Sequence, residues 1–448
     1  MFPEISELSL SMWLQDSPSL TGSFEGDKEA LARQVHSGEA LLELLGPKSG
    51  RTGQQALDAQ SIHRACRAMR RKFMACHADC LYRLLTDDFT VRKNLRELAC
   101  ATAELCPGLV PTATQLTHER MALQRDKEGH EIDQGIFFHA LLHSQEIGKH
   151  MAETALQPTP CSLELIDRFR NEAQLDLGSV LIERQGCAAY LTINNAYCLN
   201  AEDNGLVEDM ETAVDLALLD DQVRVGVLRG GTMTHPHYAG RRVFSAGINL
   251  KALHAGQISF VDFLLRRELG YINKIFRGLL PNNETTQVCN VGSDEQVLEK
   301  PWIAAVDSFA IGGGAQLLLV FDRVIAERGS YFSLPAAQEG IVPGFANLRL
   351  TRFLGSRKSR QIILHGRKIS ANDPDASLLF DEVVNADEME AAIERNVLQL
   401  SSPAVSANRH MMNLADEPLD AFLRYAAEFA LVQSERLYSP DVLDKIRN

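Results

Sequence analysis

From about Gly26 to Arg170, apolar residues recur at three- and four-residue spacing, as in Leu41, Leu42, Leu44 and Leu45 and again in Leu81, Leu84 and Leu85. That period marks one face of an amphipathic helix, and strand patterns are nearly absent from the segment. Thr86-Asp87-Asp88 and Pro107-Gly108 punctuate it as helix boundaries. The spacing therefore predicts several antiparallel helices in an all-α N-terminal domain, residues 1–172. After about Asn171 the period changes. Ala188–Ile193 and Val223–Leu228 are short apolar, β-branched runs separated by a helical stretch, Leu206–Leu219; Trp302–Val306 and Val324–Ala326 continue the pattern. Alternation of this kind predicts an α/β core over 173–370. From Leu350 onward helical spacing returns. It ends in an amphipathic run, Ala421–Arg436, within a C-terminal helical region (371–448) suited to packing on a neighbour.

Composition narrows the class. The chain has 448 residues, 45% of them hydrophobic, enough for two or three domains with cores of their own. A formal net charge of -14 argues against nonspecific nucleic-acid binding, and the longest basic run is Arg70-Arg71-Lys72. Met1–Gln15 is interrupted by Glu4, Glu7 and serines, unlike a secretory leader, and no apolar stretch has membrane-spanning length. The nine cysteines are irregularly spaced and include helix-interior positions such as Cys66 and Cys100. Reduced thiols in a cytoplasmic protein fit this better than a disulfide framework.

The chemistry points to backbone more than to side chains. Phe244-Ser245-Ala246-Gly247-Ile248 and Ile311-Gly312-Gly313-Gly314-Ala315-Gln316 each follow a candidate buried strand. Together they can direct two peptide N–H groups at one thioester oxygen, a device that stabilises an enolate or tetrahedral oxyanion by several kcal/mol. Other patterns carry less. His235-Pro236-His237 and the pair His139 and His143 lack an evident third metal ligand at useful spacing. Cys76 and Cys80 lack a second pair and read as buried thiols. Arg229-Gly230-Gly231-Thr232 lacks the full dinucleotide fingerprint and reads as a turn after a strand. No metal is expected.

Taken in order, these segments resemble the crotonase (enoyl-CoA hydratase/isomerase) superfamily. The resemblance rests on Asn200-Ala201, the Phe-Ser-Ala-Gly-Ile turn, the triple glycine, and Leu354-Gly355-Ser356 through His365-Gly366-Arg367-Lys368-Ile369-Ser370-Ala371. It implies a ββα spiral core with C-terminal oligomerisation helices, a homotrimer or hexamer, and an acyl-CoA substrate. It also implies that Ile248 and Gly313 are the oxyanion donors and that Lys251 lies near the CoA phosphates. Where hydratases of the superfamily carry two catalytic glutamates, this chain has Gln316 and Ala336. An amide and a methyl group cannot exchange protons at neutral pH, so hydration by paired carboxylates is unavailable.

A narrower resemblance covers nearly the whole chain, helical N-terminal domain included: a cofactor-independent oxygenase branch of the superfamily that serves glycopeptide-antibiotic biosynthesis. It implies conversion of 3,5-dihydroxyphenylacetyl-CoA and O2 to 3,5-dihydroxyphenylglyoxylate and CoA, with O2 as co-substrate and neither metal nor flavin. Glu202 and Arg267 then address the dihydroxyphenyl ring, Gln316 is a pocket amide, and Ala336 with Ile341 forms the oxygen pocket. Two alternatives stay open: a thioesterase or isomerase using the same donors without O2, and a noncatalytic acyl-CoA-binding subunit. From sequence alone, Arg267 also reads as one of a surface cluster, Arg266-Arg267-Glu268, and Glu202 as a helix-start carboxylate.

Overall fold

A computed structural model describes residues 7–281 and 297–445. The chain forms two compact units. One gathers Met1–Met151, Lys251–Val261 and Leu423–Asn448; the other holds Ala152–Leu250 and Asp262–Phe422.

The first unit is helical. Its longest element, Gly53–Thr86, starts at a capping box in which Thr52 and Gln55 each satisfy the other's backbone N–H, and it ends on Asp87 in the left-handed conformation. Asn94 with Glu97 and Thr112 with Gln115 cap two further helices, Leu95–Leu105 and Ala113–Arg120, in the same way. Ile62, Phe73 and Leu81 of the long helix and Phe137, Phe138 and Leu141 of Glu131–His143 are fully buried. The three-to-four spacing seen in the sequence is the stripe that fills this core. Cys66 is buried, but Cys76, Cys80 and Cys100 are exposed, so the reading of Cys76 and Cys80 as buried thiols is corrected. They lie on the solvent side of a helix whose other face packs inward.

Among the described residues the second unit contains ten strands: β1 (Gln174–Asp176), β2 (Val180–Gln185), β3 (Ala188–Ile193), β4 (Val225–Gly230), β5 (Trp302–Val306), β6 (Phe309–Ile311), β7 (Arg323–Glu327), β8 (Tyr331–Ser333), β9 (Ile369–Ser370) and β10 (Glu382–Val384). Seven of them form one sheet in the order β1-β2-β3-β4-β5-β7-β10, and β6-β8-β9 form a second. The pairs from β3 through β10 in the larger sheet are parallel. Both faces are covered, so β4 and β5 are buried throughout; β5 reads as a continuous apolar run, and β4 does so up to Arg229, which pairs with Glu390 at 2.6 Å. In the β4/β5 register Gly226 faces Trp302, and a Cβ there would lie 2.1 Å from the indole. A glycine in mid-strand is the condition for burying that ring.

Two expectations shift. The second strand run begins at Val225, because Val223 and Arg224 serve the turn out of helix Asn204–Leu219. The stretch after Leu350 is not purely helical: β9 and β10 intervene, and β10 extends the main sheet alongside β7. Segments of two and three residues carry no readable period, and pairing with a preformed edge defines them. Among the described residues no helix is long and apolar enough to cross a membrane.

Candidate active site

The carboxyl ends of β4 and β5 open into the segments that carry the two glycine turns. After β5 the chain turns at Ser308, which adopts φ +59°, and enters β6 of the smaller sheet. Residues 243–248 run beside this segment. Ser245 N–H donates to Phe309 O at 3.4 Å and Ile311 N–H donates to Ser245 O at 3.0 Å. On the opposite side, Glu202 N–H donates to Gly247 O at 2.6 Å and Asn249 N–H to Glu202 O at 2.8 Å. Neighbouring N–H groups alternate in direction along an extended segment. The Ile248 N–H therefore points away from Glu202, toward the side occupied by residues 310–313. Gly313 opens the short helix Gly313–Leu317, where a first-turn N–H has no intrahelical partner. The two turns nearly touch: a Cβ on Gly247, whose φ is +81°, would stand 3.0 Å from the Gly313 nitrogen and 2.8 Å from Ile311 O.

Asn200 bolts the entry segment in place. Its side-chain amide donates to Val243 O at 2.7 Å, its Oδ1 accepts from Asn195 N–H at 3.0 Å, and its carbonyl accepts from the Ser245 hydroxyl at 2.9 Å. Leu199 and Asn200 both adopt positive φ, a strained pair held by these bonds.

Beneath the turns lies a buried polar network centred on Arg267. Its Nε and Nη2 grip the two oxygens of Glu202, the second at 3.0 Å; Nη1 donates to Gln316 Oε1 at 2.7 Å and to Glu268 Oε1 at 2.9 Å. Nη2 also donates to Gly313 O at 2.8 Å, tying the guanidinium to the second glycine turn. Gln316 Nε2 donates to both Glu268 oxygens, at 2.6 and 2.7 Å, and the Tyr271 hydroxyl donates to Glu202 at 3.3 Å. All five side chains are buried. Burial pushes the Glu268 carboxyl up, against the pull of Arg267 and Arg349, and raises the Tyr271 phenol well above its usual range.

Of the residues singled out in the sequence, Glu202, Arg267, Gln316, Gly313 and Ile248 come together around this network. Ala336 is buried at the start of helix Ala336–Glu339, and its carbonyl accepts from Ile341 N–H at 3.0 Å, so the two sit on one turn. That turn leads to Gly344, where a Cβ would lie 2.3 Å from both Gln316 Nε2 and Glu268 Oε1. Lys251 is exposed on the short helix Leu250–His254. Arg267 is no surface residue: it and Glu268 turn inward, while Arg266 pairs with Glu211 at 2.6 Å. Glu268 and Tyr271 went unrecognised in the sequence. Their only signal was position beside Arg267, after the π-helical turn Phe260–Leu265 that alters which residues face inward.

In the helical unit, Glu428 joins His139 and His143, the three ligand atoms lying within 4.8 Å of one another. The structure thus supplies a third group that sequence spacing did not offer. His139 Nε2 lies 3.5 Å from Glu428 Oε1, and the two imidazoles stack. His235 and His237 belong to no comparable group among the described residues.

A mixed α/β core with two abutting glycine turns, in a chain whose N-terminal region is helical, marks a member of the enoyl-CoA hydratase/isomerase superfamily, the crotonases. Residues 285–435 match the enoyl-CoA hydratase/isomerase family. A short-chain-enoyl-CoA hydratase of Clostridium acetobutylicum is 27% identical over 260 residues, 57% of this chain and 88% of that protein. The crystal structure of an enoyl-CoA hydratase from Mycobacterium avium subsp. paratuberculosis has a TM-score of 0.49 and 22% identity, covering 61% of this chain and 100% of that one. Much more of the chain is shared with the (3,5-dihydroxyphenyl)acetyl-CoA 1,2-dioxygenase of Amycolatopsis orientalis: 52% identity over 431 residues, 96% of this chain and 98% of the relative. Within the superfamily the chain belongs to that dioxygenase's family and is an oxidoreductase.

Proposed function

We propose that this protein oxidises 3,5-dihydroxyphenylacetyl-CoA with O2 to 3,5-dihydroxyphenylglyoxylate and free CoA, and does so without metal or flavin. The observation that carries the reading is the contact of the Gly247 and Gly313 turns, with Gln316 and Ala336 standing where the resemblance puts the hydratase carboxylates. The thioester oxygen lies between the two N–H groups, which stabilise the enolate formed when one Cα proton leaves. Conjugation with the ring makes this carbanion electron-rich, so it passes one electron to triplet O2, the step for which oxygenases otherwise recruit a cofactor. The radical pair joins at Cα. The resulting peroxide attacks the thioester carbonyl and expels CoA; O–O cleavage with loss of the second Cα proton then leaves the α-keto acid. Both oxygen atoms end in the product, and the two protons balance the thiol and the acid.

In this scheme Glu202, Arg267 and Gln316 face the ring hydroxyls as an ordered polar wall, and Lys251 offers a cation to the CoA phosphates. Ala336 and Ile341 shape a small apolar space for O2, and the missing carboxylate removes a proton donor that would quench the carbanion. We further place the enzyme in the cytoplasm as a homotrimer or hexamer. Exposed Met411, Met412 and Leu414 on helix Pro403–Asp416 offer an apolar contact surface for assembly.

The test is O2 uptake by metal-stripped, flavin-free protein given 3,5-dihydroxyphenylacetyl-CoA, with thiol and α-keto acid followed together. Equimolar consumption and release are expected; thiol release without O2 uptake would mean a thioesterase. A second expected result concerns the pocket. Ala336→Leu adds bulk at a buried site and should raise the Michaelis constant for O2 about tenfold while changing that for the thioester less than threefold, a difference of roughly one hydrophobic group's worth of space. Equal changes in both constants would remove Ala336 from the oxygen pocket.

A further inference from the structure

We propose that Glu268 is a positioning residue that fixes the orientation of the Gln316 side-chain amide. The inference deepens the reading above and rests on Gln316 facing the substrate. Gln316 lies between two groups of opposite hydrogen-bonding character. Arg267 Nη1 can only donate, at 2.7 Å from Gln316 Oε1, and an ionised Glu268 can only accept, at 2.6 and 2.7 Å from Gln316 Nε2. Only one of the two amide orientations satisfies both partners. Turned by 180°, the amide would set NH2 against guanidinium and oxygen against carboxylate.

The chain invests in this clamp from three places. Arg267 and Glu268 come from one short helix, Arg266–Leu269, Gln316 from the helix that begins at Gly313, and Gly344 from the loop beyond Ala336. A side chain at Gly344 would occupy the space of Gln316 Nε2 and Glu268 Oε1, so glycine is needed for the pair to sit there. Glu202 already takes Arg267 through Nε and Nη2, so Glu268 meets that guanidinium through Nη1 alone, with the charge of Arg349 as further compensation, and directs both of its oxygens at the Gln316 amide.

The test is a double-mutant cycle on the full-length protein, read as anaerobic affinity for 3,5-dihydroxyphenylacetyl-CoA by calorimetry and as kcat for O2 uptake. Glu268→Gln and Gln316→Ala are each expected to weaken binding about tenfold, and the double variant also about tenfold, not a hundredfold, because both changes remove the same oriented amide. Exchange of the two groups, Glu268→Gln with Gln316→Glu, retains one carboxylate and one amide in contact. It should bring the thermal midpoint back toward wild type while affinity and kcat stay low. Gly344→Ala, which crowds the pair without altering charge, serves where Glu268→Gln fails to fold and should weaken binding similarly. Additive losses in the cycle, or full recovery of affinity in the exchanged variant, would overturn the inference and leave Glu268 a charge-balancing residue. Wild-type protein that binds the thioester but takes up no O2 would sink the dioxygenase reading, while the binding cycle would still decide the role of Glu268. A wild type that does not bind the thioester would overturn both.

Discussion

Gly247→Ala is expected to lower kcat for O2-dependent turnover by about a hundredfold or more, the cost of losing one oxyanion donor from a preorganised pair. The argument is geometric. Gly247 has φ +81°, a conformation that alanine adopts only with strain, and its Cβ would stand 2.8 Å from Ile311 O and 3.0 Å from the Gly313 nitrogen. The first contact is closer than Cβ atoms come and the second is tight enough that the neighbour must give way, and the obstructing atoms are backbone that cannot rotate aside. The 243–248 segment must therefore move off the 310–313 segment, separating the N–H groups of Ile248 and Gly313. The bonds from Asn200 and Ser245 that anchor the rest of the turn remain, so the folded protein survives with a strain of about 1 kcal/mol. Steady-state O2 uptake with a parallel thermal melt checks this. A variant retaining kcat within threefold would remove these turns from the chemistry.

Glu417→Gln should destabilise the α/β unit by about 3–5 kcal/mol, because it leaves buried arginines without their counter-charge. Glu417 accepts from Arg349 at 2.9 and 3.0 Å, from Arg352 at 3.1 Å and from Arg277 at 3.3 Å. Glu417 and Arg349 are both fully buried. Burial alone would push the carboxyl up; Arg349 first, then Arg277 and Arg352, overcome it and hold it at about 2, against an ordinary 4.5. A carboxyl depressed in the folded state stabilises fully above its unfolded pKa, and that contribution, about 3 kcal/mol, drains away as pH falls from about 4.5 to 2. The variant should melt roughly 10 °C below wild type at pH 7, and the gap should narrow steadily below pH 4.5. A gap independent of pH would mean that lost packing, and not charge, accounts for the difference.

The glutamine at 316 and the alanine at 336 were legible without coordinates, since a missing carboxylate is a property of a position in an ordered motif. The network that surrounds them was not. Arg266-Arg267-Glu268 reads as a charged surface cluster, and it was the π-helical turn before it and the break at Gly270 after it that turned two consecutive charged residues inward. Glu202 and Arg267 lie 65 residues apart, and Glu417 lies 68 from Arg349. No local pattern announces such partners, because a buried charge pair depends on where the two chain segments cross.

What the sequence determined by itself was therefore what acts over a few residues. The helical period of the N-terminal region, the apolar runs of β3, β4 and β5, and the glycines at which backbone must turn with positive φ all follow from side-chain size and polarity at short range. Only the tertiary structure decided which faces those elements share. Parallel pairing put β4 beside β5, carried the Gly247 and Gly313 turns into contact, added β10 to the sheet, and closed Arg267 into a cage with Glu202, Gln316 and Glu268. Register and burial are collective: each charged group tolerates the interior only because partners distant in sequence arrive with it.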